Sequence, residues 1–176
     1  TPQALAVNNN GHIFAGLNAG GIYRSTNNGI NWVMVNFGSN GVRKLLIKPN
    51  GYIYAAFPPY IKISTDNGDT WSQINYTGMT GGNDMSLDSS GNILVCNSYG
   101  IFKTSNDGAN WLQVCNIPSL LSIAVNGNGT LFTGNSYGAI YKSNDNGANW
   151  SMAHNQAVIG SGASVMDILI RPDGQV

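Results

Sequence analysis

The acidic side chains are the first place to look for chemistry, and all eight are aspartates, at Asp66, Asp69, Asp84, Asp88, Asp107, Asp145, Asp167 and Asp173. The chain contains no glutamate. Two of the acids share a register. Turn glycines stand at Gly11, Gly51, Gly91, Gly129 and Gly174, and seven residues before them lie Ala4, Lys44, Asp84, Ser122 and Asp167. Two carboxylates held about 5–9.5 Å apart can cleave a glycosidic bond. Asp84 and Asp167 are two repeats apart, however, and the simpler expectation is that both bond neighbouring loop amides at the mouth of a channel. His12 and His154 show no metal-ligand spacing, so neither a metal nor a cofactor is expected.

Aromatic side chains offer a different chemistry. The stretches Leu17–Gly21, Phe57–Tyr60, Asn97–Gly100 and Asn135–Gly138 occupy corresponding places, and three of them carry a tyrosine, Tyr60, Tyr99 and Tyr137. Rings beside Asn and Ser suit sugar recognition, with a stacking surface and adaptable hydrogen bonds. Lys44, Asp84 and Asp167 would add polar contacts nearer the channel mouth. Packing on a neighbouring sheet is the competing role for the tyrosines.

Positioning these groups is the work of a repeat. One eight-residue phrase recurs four times: Ser25 to Trp32, Ser64 to Trp71, Thr104 to Trp111 and Ser143 to Trp150. Its tryptophans are 39 to 40 residues apart, a period that marks a repeat architecture. Each copy has a hydroxyl (Ser25, Ser64, Thr104, Ser143), then Asn27, Asp66, Asn106 or Asp145, then Gly29, Gly68, Gly108 or Gly147. Short polar side chains that bond nearby backbone N–H groups, followed by a glycine free to take positive φ, specify a tight hairpin. Trp32, Trp71, Trp111 and Trp150 would each open the next strand and plug the space between sheets. Before every phrase stand short runs rich in Val, Ile, Leu and aromatics, punctuated by Asn, Asp, Gly and Pro, which read as hairpin strands. Four strands in about 40 residues match one propeller blade. The chain is therefore expected to be an all-β propeller with blades over 1–37, 38–77, 78–116 and 117–155.

The phrase resembles the Asp-box, or BNR repeat, of sialidases and other secreted β-propeller proteins. That resemblance implies a structural role for the box residues, at the turn between a blade's third and fourth strands and away from an active-site face. Asp is kept at Asp66 and Asp145, and Asn27 and Asn106 replace it in the other copies. A sialidase would also bring an arginine triad, a Tyr–Glu nucleophile pair and an aspartate acid/base. Only Arg24, Arg43 and Arg171 are present, Arg24 lies just before a box and Arg171 in a turn, and no glutamate exists. A complete sialidase site is not expected.

A fifth blade begins at Val165 and the sequence ends inside its second strand at Val176, so the expectation is a piece of a larger propeller, or self-association through the incomplete blade. Only 9% of residues are charged, with Lys plus Arg equal to Asp plus Glu. No net field draws the chain to nucleic acid or to an anionic membrane, and no stretch is long and apolar enough to insert. A surface of Asn, Ser, Thr and Gly suggests export. Cys96 and Cys115 end strands separated by a whole strand, too far for a bridge. Asn75, Asn128 and Asn149 fit the glycosylation acceptor pattern. The function expected is a non-catalytic extracellular binding or scaffolding module for a glycan or protein; the alternative is a fragment of a secreted, sialidase-like glycoside hydrolase.

Overall fold

The computed structural model describes residues 1–38, 40–74, 81–154 and 162–171. They fall into two compact units, Thr1–Gly82 and Asn83–Val176. Two sheets make up each unit. In the first, β1 (Pro2–Val7), β2 (Ile13–Leu17), β3 (Ile22–Ser25) and β4 (Val33–Asn36) form one sheet, and β5 (Lys44–Ile47), β6 (Ile53–Phe57), β7 (Tyr60–Ser64) and β8 (Ser72–Ile74) form the next. In the second, β9 (Asp84–Leu87), β10 (Ile93–Asn97), β11 (Gly100–Thr104) and β12 (Leu112–Cys115) precede β13 (Leu120–Val125), β14 (Leu131–Asn135), β15 (Ile140–Ser143) and β16 (Ser151–His154). Every sheet is an antiparallel meander, the blade of a propeller, and the described residues contain no helix.

Local hydrogen bonds explain why the chain turns where it does. At the first hairpin of three blades, Asn8, Asp88 or Asn126 accepts from backbone N–H groups two and four residues on. The box uses the same device twice. Ser64 Oγ accepts from the Gly68 N–H at 2.8 Å, and Asp66 Oδ1 accepts from Ser64 Oγ at 2.8 Å and from the Thr70 N–H at 2.9 Å. Between them the backbone makes a primed turn: Asn67 has φ 62° and Gly68 φ 88°, closed by Asp69 N–H to Asp66 O at 3.3 Å. Two consecutive positive φ values match the right-handed twist of the flanking strands. Asn28, Asp107 and Asn146 take the same conformation before their glycines.

Each unit has a core where its two blades face one another. Phe14, Ile22, Leu45, Ile53 and Phe57 form it in the first unit, with Trp71 packed against them. Leu94, Ile101, Ile123 and Leu131 form it in the second, with Trp150 alongside. At both seams the box of the later blade leans on the earlier blade. A Cβ built on Gly68 would lie 2.7 Å from the Phe14 ring, and one on Gly147 3.2 Å from Val114.

Two expectations need correction. The tryptophans do not open the fourth strands; each precedes the strand by one residue. Nor are all four indoles plugs: Trp71, Trp111 and Trp150 are half-buried, but Trp32 is 39% exposed. Leu5 differs from its counterpart in the same way, 67% exposed where Leu45 at its register is 4%. Neither cysteine is in a disulfide. Both pair with Ile101 of the strand between them, as their spacing implied.

Residues 165–168 dock on the fourth blade as residues 42–45 dock on the first. Val42 N–H bonds Leu17 O at 3.0 Å, and Val165 N–H bonds Asn135 O at 3.0 Å. Val42 lies over Gly16 and Val165 over Gly134, where any Cβ would approach to 2.4 or 2.3 Å. Residues 162–171 form no strand. The remainder of the expected fifth blade, 172–176, and the Asn75 glycosylation pattern lie outside the described residues.

Candidate functional site

Pairing registers put the residues singled out by sequence at one end of their sheets. Lys44 pairs with Ala56 and Asp84 with Cys96, close to the loops between the second and third strands, whereas the boxes close the opposite end. In the second unit the loop Asn97–Gly100 is built on a buried side chain. Asn97 Oδ1 accepts from the Tyr99 N–H at 2.8 Å. Asn135 repeats this with Tyr137 at 3.0 Å and also takes the Ala139 N–H at 2.9 Å. With the asparagine turned inward, the tyrosine two residues later is lifted out: Tyr99 is 56% and Tyr137 55% exposed. Ser119 bonds both loops, donating to Ser98 O at 3.0 Å and accepting from Ser136 N–H at 2.9 Å, so the two loops flank it. In the first unit Tyr60 is 44% exposed, and Asn40 Nδ2 donates to Pro58 O in its loop at 2.6 Å.

The two register-matched acids differ. Asp84 is buried, and its carboxylate accepts from Met85 N–H at 2.8 Å and, across the seam, from Ile123 N–H at 2.9 Å. Asp167 is exposed and accepts from Ile168 N–H at 2.9 Å. Between them stands Ser122, whose Oγ donates to Val165 O at 3.1 Å. This register fastens one blade's first strand to the next, through the Asp84 carboxylate and the Ser122 hydroxyl. Lys44 is half-buried at the start of β5.

The boxes show how charge is held. Hydrogen bonds from the Thr70 hydroxyl (2.5 Å), the Thr70 N–H and Ser64 hold the Asp66 carboxyl down at about 2, from an ordinary 3.8. The Asn149 N–H and side chain, with Ser143, do the same for Asp145. Asn27 and Asn106 accept the equivalent backbone bonds at 2.9 Å without a charge. The Asn149 amide is thus committed to Asp145 Oδ2 at 2.7 Å, while Asn128 is exposed in its turn. Inside the third blade Lys103 reaches Asp88 at 2.7 Å; burial opposes ionisation of Asp88, but that cation and Asn92 lower its pKa nonetheless.

A groove of about 580 Å³ opens between β12 and the outer strands of the fourth blade, and sequence reasoning missed it. Gln113, Asn116, Tyr141, Trp150 and Met152 line it. The Trp150 indole N–H donates to Gly147 O and Val114 O, both at 3.1 Å, which caps the edge of β12. At the matching seam of the first unit Lys62 donates to Asn36 Oδ1 at 2.8 Å, its ammonium 4.8 Å from the Phe57 ring centre. Arg24 there donates to Asp69 Oδ1 at 2.7 Å and Asn67 O at 2.6 Å. The repeat alignment holds the signal: Tyr141, Cys115 and Ala148 stand where Lys62, Asn36 and Asp69 do. Among the described residues no three of His, Cys, Asp and Glu cluster as metal ligands.

Comparison with known proteins agrees with this architecture. The BNR/Asp-box repeat family matches residues 62–73. No curated protein matches the chain in sequence. Among solved structures, the extracellular domain of a B. thetaiotaomicron protein is similar with a TM-score of 0.79 at 14% identity, over 97% of this chain and 25% of that one. The GH74 xyloglucanase of Xanthomonas campestris gives 0.70 at 15%, over 86% and 30%. YCF48 of Cyanidioschyzon merolae gives 0.68 at 15%, over 86% and 55%. The chain therefore spans between a quarter and about half the length of these proteins, and likeness at such identity speaks to fold alone. With four boxes in register on four meander sheets, the chain carries a match to the BNR/Asp-box repeat and folds into the blades of a β-propeller.

Proposed function

We propose that the chain is a non-catalytic binding module of an exported protein, and that it takes a glycan on the loops carrying Tyr99 and Tyr137. The observation that carries this reading is the pair of buried asparagines, Asn97 and Asn135, each presenting a tyrosine that is more than half exposed. A large aromatic held rigidly in water has little role in stability, and it offers a contact face at low conformational cost. Asp167, exposed at the same register end, adds an acceptor. Tyr60 and Lys44 form the corresponding contacts in the first unit. What speaks against catalysis is the engagement of Asp84 with two backbone N–H groups and the lack of any glutamate. The likeness to a GH74 enzyme supports the second reading, a fragment of a secreted glycoside hydrolase.

A glycan array beside a panel of chromogenic glycosides separates the two. Binding without turnover, weakened by Tyr99→Ala and Tyr137→Ala at unchanged melting temperature, is the expected result. Turnover of any glycoside would favour the hydrolase fragment. Self-association through the incomplete fifth blade, which begins at Val165, belongs to the same reading. Light scattering over a range of concentrations should show a concentration-dependent rise in mass, and a constant monomer would remove that part.

A further inference from the structure

We propose that the groove between β12 and the fourth blade is a second site, distinct from the tyrosine loops, and that it binds a neutral saccharide. None of the side chains lining it is charged. An ionic ligand would give up its hydration there without meeting a counter-charge, whereas a neutral polar one would not. The polar groups on offer are the Asn116 amide and the Tyr141 phenol, which both donate and accept as sugar hydroxyls do, and the Gln113 side-chain oxygen, which accepts. Tyr141 and Trp150 supply aromatic surface for the C–H face of a sugar ring. The volume, about 580 Å³, lies within the range of roughly 300–1,000 Å³ usual for small-ligand sites.

A peptide is the poorer occupant. Strand addition needs free main-chain groups along the edge of β12. Val114 O is already bonded to Trp150, and Gln113 Nε2 covers Cys115 O at 3.1 Å. In the first unit, polar side chains cross the seam at the matching positions. Lys62 crosses to Asn36, and Arg24 crosses to Asp69. In the second unit Tyr141, Cys115 and Ala148 provide neither link, and Lys103, at the position of Arg24, turns to Asp88 of its own blade.

The test is a titration of the whole isotopically labelled chain with glucose, galactose, mannose, xylose, cellobiose, maltose and lactose, read by NMR. At least one sugar should shift the Trp150 indole N–H and the Asn116 amide while leaving the Tyr99 and Tyr137 amides in place. Tyr141→Lys, which imports the cation that crosses the other seam, should weaken binding at least tenfold. Asn116→Ala, at an exposed position, should weaken it several-fold with the melting temperature unchanged. The proposal fails if no sugar shifts these resonances, if the shifts survive both variants, or if glucuronate binds the groove more tightly than the neutral sugars. Shifts confined to the Tyr99 and Tyr137 loops would overturn the groove and leave the loop reading standing; shifts confined to the groove would do the reverse.

Discussion

The two seams are built from corresponding positions, yet different side chains link their blades. In the first unit Arg24–Asp69 and Lys62–Asn36 bind the outer strands and the box, while Ala4, Val42 and Leu45 meet the other blade as apolar groups. In the second, Asp84–Ile123 and Asn83–Leu120 (2.7 Å) fasten the first strands, and the outer end is left to Trp150 and an open groove. Apolar burial across the seam is common to both. It therefore carries the fold, and the polar links are free to move without changing it. A seam whose outer edge is held by an indole rather than by charged side chains leaves a groove where something else can bind.

The largest expected effect tests the shared part. Phe14 is fully buried and meets the box of the next blade, so Phe14→Ala should cost about 3–5 kcal/mol in denaturant unfolding. Trp32→Ala should cost only about 1 kcal/mol, since Trp32 is exposed and makes one local bond, from its indole N–H to Gly29 O at 3.0 Å. Equal losses at the two positions would break the distinction between a packed box and an uncovered one. Next comes the outer link. Lys62→Ala removes a charged hydrogen bond and should cost about 1.5 kcal/mol, whereas Tyr141→Ala at the same register should cost less while abolishing sugar shifts at the groove.

Acid sharpens a second contrast, between boxes with Asp and boxes with Asn. The Asp66 and Asp145 pKa values fall in the folded chain from 3.8 to about 2, so their bonds favour folding above the unfolded value. That contribution is lost as pH drops through about 4 towards 2. Wild-type melting temperature should decline over this window more steeply than that of Asp66→Asn with Asp145→Asn, whose boxes copy Asn27 and Asn106. Parallel declines would mean the carboxylates matter only as acceptors. The smallest change is expected at the loops: Tyr99→Ala and Tyr137→Ala should shift stability by at most about 0.5 kcal/mol, as at other exposed sites.

The box was legible because its residues bond one another within eight positions, so that Ser64, Asp66, Gly68 and Thr70 specify the turn wherever they occur. Strand order and register followed from the same spacing. The conformation of Asn67 was not legible, since Asn tolerates positive φ without requiring it. Trp32 and Trp71 sit in nearly identical phrases, yet Trp71 packs against a core shared with the earlier blade and Trp32 is exposed, a difference set outside the phrase. The groove escaped notice for a related reason. It depends on what Tyr141, Cys115 and Ala148 fail to reach across a seam, and no single repeat contains both sides.

The meander topology also bears on how the chain folds. All twelve ladders among the described residues join strands adjacent in sequence. Most all-β domains fold slowly because distant strands must close large loops before any contact rewards them. Here each hairpin needs only a short closure, and the box supplies its own turn. A blade can therefore begin at whichever hairpin forms first, and the long-range step is reduced to laying one finished sheet against the next.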